Sequence, residues 1–103
     1  MSIQIGRFNF EGPYTSTASL ENRSGVYAIL CKKEGNKYNV VDVGESSTVK
    51  SRVDTHDRKE CWKRNCNSTL TVAVHYTHNL QQAGRMAIEQ ELRMQYDPPC
   101  GKQ

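Results

Sequence analysis

The sequence predicts a small α/β sandwich, with a central antiparallel three-stranded sheet flanked by helices and preceded by an N-terminal extension. Three observations carry this expectation. Residues 26–33 and 38–43 are two strand-like runs separated by the turn sequence Glu34-Gly35-Asn36, which reads as a hairpin. In residues 69–76, Leu70, Val72, Val74 and Tyr76 fall on one side, the alternation of a third strand. Residues 80–96 carry Leu80, Ala83, Ala87, Ile88 and Leu92 at helical spacing and run into Pro98 and Pro99, which stop a helix.

The remaining segments fit around those elements. Residues 1–10, with apolar points at Ile3, Ile5, Phe8 and Phe10, read as a short strand or arm. Residues 11–24 are rich in Gly, Pro, Ser, Thr and Asn and read as a loop. Gly44 ends the second strand of the hairpin. Ser46 or Ser47 is placed to cap a helix that begins near Thr48, and Val49 and Val53 supply its buried stripe. Arg52 and His56, also four apart, are expected on the adjoining face. A second short helix or turn carries Cys61, Trp62 and Cys66, and residues 65–68 form a turn. The 103 residues allow one domain, divided into an N-terminal arm and loop (1–23) and a core (24–101).

Composition narrows the class. Hydrophobic residues make up 36% and charged residues 24%, values near those of soluble globular domains. No apolar run reaches the roughly 20 residues of a membrane helix, so no membrane partner is expected. The first ten residues lack the charged start and apolar stretch of a secretory signal. A cytoplasmic location follows, and with it the expectation that Cys31, Cys61, Cys66 and Cys100 are reduced thiols. A zinc site on Cys61 and Cys66 lacks the usual knuckle spacing.

The net charge of +3 resides in one stretch. Between Lys50 and Arg64 lie six basic residues and three acidic ones, Asp54, Asp57 and Glu60. A local basic surface suits a polyanion, and Lys50, Arg58, Lys59, Lys63 and Arg64 are the candidate contacts to a nucleic-acid backbone. The alternative is a solvated helical face with paired charges.

Scattered short blocks turn this surface into a candidate active site. Gly25-Val26-Tyr27 opens the first strand of the hairpin and Asp42-Val43-Gly44 closes the second. Arg52 follows Gly44 by eight residues, His56 by another four, and Glu89 stands in the last helix, ahead of Gln95-Tyr96-Asp97-Pro98. In this order and context the blocks resemble the catalytic signature of the GIY-YIG nuclease family, over residues 24–101.

The resemblance implies a metal-dependent endonuclease that hydrolyses phosphodiester bonds of nucleic acid, DNA ahead of RNA. Tyr27 would hold or help deprotonate the attacking water. Arg52 would donate two parallel hydrogen bonds to the scissile phosphate. His56, with a proton affinity near neutrality, would act as general base or orient the water. Glu89 would hold Mg²⁺ or Mn²⁺, since one carboxylate plus waters is an ordinary arrangement for Mg²⁺. Read without the motif, Glu89 is a helix residue bridging Arg85 and Arg93. Three positions depart from the pattern. Asp42 stands in place of the second tyrosine, Glu45 where some relatives carry lysine, and Gly101 near the place of an asparagine. Asp42 is then either a second metal ligand beside Glu89 or a charge that repels DNA. In the latter case the chain is a catalytically degenerate module that binds nucleic acid or a protein. So little material leaves sequence readout to a partner or to a homodimer.

Overall fold

The computed structural model describes residues 1–101. In chain order these form β1 (Ser2–Ile5), β2 (Phe8–Tyr14), β3 (Gly25–Lys32), β4 (Tyr38–Ser46), α1 (Val49–Asp54), α2 (Lys59–Arg64), β5 (Leu70–Tyr76) and α3 (Gln82–Tyr96). The strands make one sheet in the order β1-β2-β5-β3-β4, and every neighbouring pair is antiparallel.

Strand β3 organises the interior because successive side chains of a strand point to opposite faces, and here both sets are apolar. Val26, Ala28 and Leu30 join Val43, Ala73, Ile5 and Phe10 under Ile88 and Leu92 of α3. Tyr27, Ile29 and Cys31 join Val41, Val72 and Val74 under Val49 and Val53 of α1 and Trp62 of α2. Helices therefore cover both faces, as the α/β expectation requires. The β3–β4 register shifts between Ile29, opposite Asp42, and Leu30, opposite Val40. This bulge leaves Val41 unpaired and re-aims its neighbours. Val41 enters the core under α1 and α2, and Asp42 hydrogen-bonds Trp62 of that same core.

Four expectations are corrected. The sheet has five strands rather than three, because the N-terminal arm and part of the expected loop belong to it. β2 runs through Gly12 and Pro13 to Tyr14 and pairs with β5, with Glu11 opposite Val74 and Tyr14 opposite Val72. Phe10 is fully buried there, so the arm supplies core that turn-like composition concealed.

The packed face of α3 is rotated from the expected one. Arg85, Ile88 and Leu92 are buried, Ala83 and Ala87 are exposed, and Leu80 precedes the helix. Glu45 on β4 draws Arg85 inward through a 2.8 Å ion pair.

α1 ends at Asp54, so Arg52 and His56 do not share a helical face. The chain turns after Thr55, which buries His56 and leaves Arg52 half-exposed.

The cysteines are paired as Cys31–Cys66 and Cys61–Cys100, with no free thiol among the described residues. Cys61 lies on α2 and Cys66 beyond its end, so each meets a different partner and the two cannot share a zinc ion. Among the described residues, no helix is long and apolar enough to cross a membrane.

Candidate active site

The C-terminal end of β4 lies beside the N-terminal end of β3, and this pairing builds the floor of the site. Tyr27 stands opposite Gly44. A Cβ on Gly44 would lie 2.2 Å from the Tyr27 hydroxyl, so only glycine lets the phenol lie across β4. From there Tyr27 Oη is 2.7 Å from His56 Nε2, in the turn between α1 and α2.

The protonation of that pair follows from its neighbours. His56 Nδ1 accepts the backbone N–H of Arg58 at 3.0 Å. A neutral imidazole has one donor and one acceptor nitrogen, so the proton sits on Nε2 and is donated to the phenol oxygen. Burial, reinforced by the nearby Arg52 and Arg58 charges, pushes the His56 pKa down to about 4. At neutral pH the ring is uncharged, and the 3.4 Å approach of Asp57 to Nδ1 is not an ion pair. Burial also pushes the Tyr27 phenol up to about 12, with Asp42 and Glu89 adding to the effect and Arg52 and Arg58 opposing it. Both His56 nitrogens are engaged, so the ring orients Tyr27 and has no free lone pair for a general base.

This arrangement has a pH signature. The unfolded histidine titrates near 6.5 and the folded one near 4, so the unfolded chain binds the extra proton between those values. Stability is therefore full above about 6.5 and falls as the pH drops toward about 4, by roughly 1.4 kcal/mol per unit and roughly 3 kcal/mol in all. Melting temperatures measured from neutral pH down to 4 should show this slope in the parent and a flatter one in His56→Gln. A His56 ring that titrates near 6.5 by NMR would refute it.

Beside the pair lies Asp42, fully buried. Its Oδ2 accepts from Arg58 Nε at 2.8 Å and Trp62 Nε1 at 2.8 Å. Its Oδ1 accepts from Arg93 Nη2 at 2.7 Å, the backbone N–H of Val43 at 2.9 Å and Arg58 Nη2 at 3.3 Å. A carboxylate offers about four lone-pair sites, and these donors fill them. A metal ion at Asp42 would have to displace two guanidinium groups. Nor does Asp42 present a bare negative charge to a polyanion, because two arginines flank it. Arg93 comes from α3 and reaches the edge strand β4, where it also donates to the Val43 carbonyl and, at 3.0 Å, to the Cys100 carbonyl. Gly101 lies against this guanidinium, and a Cβ there would be 2.6 Å from Nη2. Asparagine at that position would collide with Arg93. Glu45, the other departing acid, is matched by Arg85.

Glu89 lines a cleft of about 590 Å³ together with Arg58, Met86, Gln90, Arg93 and Asp97, and Arg52 lies outside that lining. Glu89 Oε2 accepts from Arg93 Nε at 3.0 Å, while Oε1 stands outside that pair. Arg85, the other expected partner of Glu89, is turned to Glu45. Among the described residues, no three His, Cys, Asp or Glu side chains gather as a metal cluster. Mg²⁺ needs only one or two carboxylates when phosphate oxygens and waters complete its shell, so Glu89 fits as a single protein ligand. Arg52 pairs with Asp57 through an exposed contact of 3.0 Å, a kind of pair easily exchanged for another anion. Of the basic candidates, Lys59 donates to the Asp54 carbonyl at 2.6 Å, while Lys63 and Arg64 are exposed along α2 and Lys50 is half-buried on α1.

The structure thus joins Tyr27 to His56 directly and links the pair to Asp42 through Arg58 and Trp62, while Glu89 reaches Asp42 through Arg93 and Arg52 is paired with Asp57. Sequence reasoning missed Arg93 and Trp62 as members of this network. The i,i+4 spacing of Glu89 and Arg93 marked their pair, but nothing local marked a contact to Asp42 from 51 residues away. No protein-family model, curated protein or solved structure matches the chain.

Proposed function

We propose that this protein is a metal-dependent endonuclease of GIY-YIG type, acting on the phosphodiester backbone of nucleic acid and on DNA in preference to RNA. One observation carries the reading. Tyr27 of β3 and His56 of the turn after α1, two of the four residues the motif singles out, meet in a direct, buried 2.7 Å contact.

The residues divide the work by burial. Arg52 exchanges Asp57 for the scissile phosphate and binds it through its planar fork. Tyr27, whose oxygen accepts from His56, has its own O–H left to donate. With a pKa near 12 it serves as a hydrogen-bond donor toward phosphate charge rather than as a base. Glu89 would hold Mg²⁺ or Mn²⁺, which when bound supplies positive charge for the departing oxygen and a more acidic water. The exposed Lys63 and Arg64 extend the anion-binding surface along α2.

The test is nicking of supercoiled plasmid with Mg²⁺ or Mn²⁺ by the parent, Glu89→Ala and Arg52→Ala, purified in parallel. Each variant should lose about 100- to 1,000-fold, the usual effect of deleting an electrostatic stabiliser of the transition state. A silent parent, or equal cutting by all three, rejects the enzyme.

A second reading is favoured by the burial of the Tyr27–His56 pair. Tyr27 is only 1% exposed and neither residue has a free basic atom. On this reading the same surface binds nucleic acid or a protein without cleaving. Metal-independent DNA binding by a parent that never nicks would select it.

A further inference from the structure

We propose that Asp42 mounts Arg58 as a second phosphate-binding group of the site, an assignment that rests on the nucleic-acid reading above. The grip on Arg58 is one-sided. Asp42 takes Nε and Nη2 along one edge of the guanidinium, at 2.8 and 3.3 Å. The third nitrogen, Nη1, has no part in that fork, and Arg58 lines the cleft that holds Glu89. A planar guanidinium gripped along one edge keeps its remaining N–H groups in a set direction.

The mount itself is rigid. Trp62, Arg93 and the Val43 backbone fix the carboxylate from three other directions. Much of the rotamer entropy that a free surface arginine loses on binding an anion is therefore lost already on folding. Charge balance points the same way. Arg58 and Arg93 neutralise Asp42, although Arg93 also pairs with Glu89 and Asp97 lines the same cleft, so the buried acid is not presented as a bare charge. Neither a tyrosine nor an asparagine at position 42 could offer a two-oxygen anionic acceptor. The replacement at position 42 thus brings a second guanidinium next to the Glu89 cleft.

Two effects of opposite sign make this testable. If Asp42 merely repels the backbone, Asp42→Asn will tighten DNA binding. If Asp42 holds Arg58 in place, Asp42→Asn will weaken binding although it removes a negative charge. The measurement is anisotropy of a short labelled DNA duplex in EDTA across a salt series, with the parent, Asp42→Asn, Arg58→Met, Arg58→Lys and Arg52→Ala. Melting curves identify which variants fold.

Arg58→Met should weaken binding about tenfold and lower the log–log salt slope by about one, the signature of one lost phosphate contact. Arg58→Lys, which keeps the charge but loses the fork, should fall between Arg58→Met and the parent. Tighter binding by folded Asp42→Asn overturns the assignment, and so does a salt slope unchanged in Arg58→Met. If Asp42→Asn does not fold, the Arg58→Met slope decides alone. Weaker binding in Arg52→Ala but not in Arg58→Met overturns the Arg58 assignment and leaves the nucleic-acid reading standing. A parent that does not bind at low salt overturns both.

Discussion

Reduction of the two disulfides should lower the melting temperature by roughly 20 °C or more and leave the chain partly unfolded at 37 °C. The bonds close segments with sequence separations of 35 and 39 residues. Loops of that length contribute about 4 kcal/mol each in the chain-entropy account, and losing a native disulfide from a small domain costs about 2–5 kcal/mol. A domain of this size has about 5–15 kcal/mol of stability in total, and at about 4–8 °C per kcal/mol the shift is large. Placement adds to the effect. Cys61–Cys100 ties α2, which carries Trp62, to the C-terminal segment. There the Cys100 N–H bonds the Val41 carbonyl at 3.0 Å and the Cys100 carbonyl holds Arg93. Opening that bond loosens both flanks of Asp42. Calorimetry with and without a phosphine reductant checks the shift, and Cys31→Ser/Cys66→Ser and Cys61→Ser/Cys100→Ser double variants apportion it. Four titratable thiols in denatured, unreduced protein would refute the pairing.

Asp42→Ala should destabilise the oxidised protein by about 3–5 kcal/mol, because it leaves the Arg58 and Arg93 guanidinium groups without their counterion. The melting temperature should fall by roughly 15–30 °C. Trp62, the only tryptophan, loses its 2.8 Å acceptor, so its emission should shift to the red even where the chain stays folded. Glu91→Ala is the matched control, since it removes the exposed partner of Arg7 and should not move the melt measurably. If the two variants melt together, the buried network is not what holds this end of the sheet.

Two of the three departures from the motif pattern are physically linked, and the third is matched separately. Asp42 needs cationic partners, Arg93 supplies one, and Arg93 fits only because position 101 is glycine. Glu45 is matched by Arg85, itself turned inward from α3. The acids at positions 42 and 45, which read singly as charges opposing a polyanion, are each compensated within the fold. A repulsive surface is thus replaced by a buried ionic network.

Local pattern determined a good deal by itself. The hairpin of β3 and β4, strand β5 and helix α3 were legible because their apolar periods and their turn and proline stops act within a few residues. Tyr27, Arg52, His56 and Glu89 were named from their order along the chain, and of these Tyr27 and His56 meet directly. What only the tertiary structure decided lay in contacts between distant segments. The arm became β1 and β2 because Ile5 and Phe10 found a sheet to cover, which outweighed the turn-like Gly12-Pro13. His56 became an uncharged positioning group because its surroundings desolvate it, a property that no spacing encodes. The cysteines paired across 35 and 39 residues, and Asp42 acquired its arginines from α2 and α3. Burial and charge pairing depend on which segments meet in space, and so they were settled by the fold and not by the neighbouring sequence.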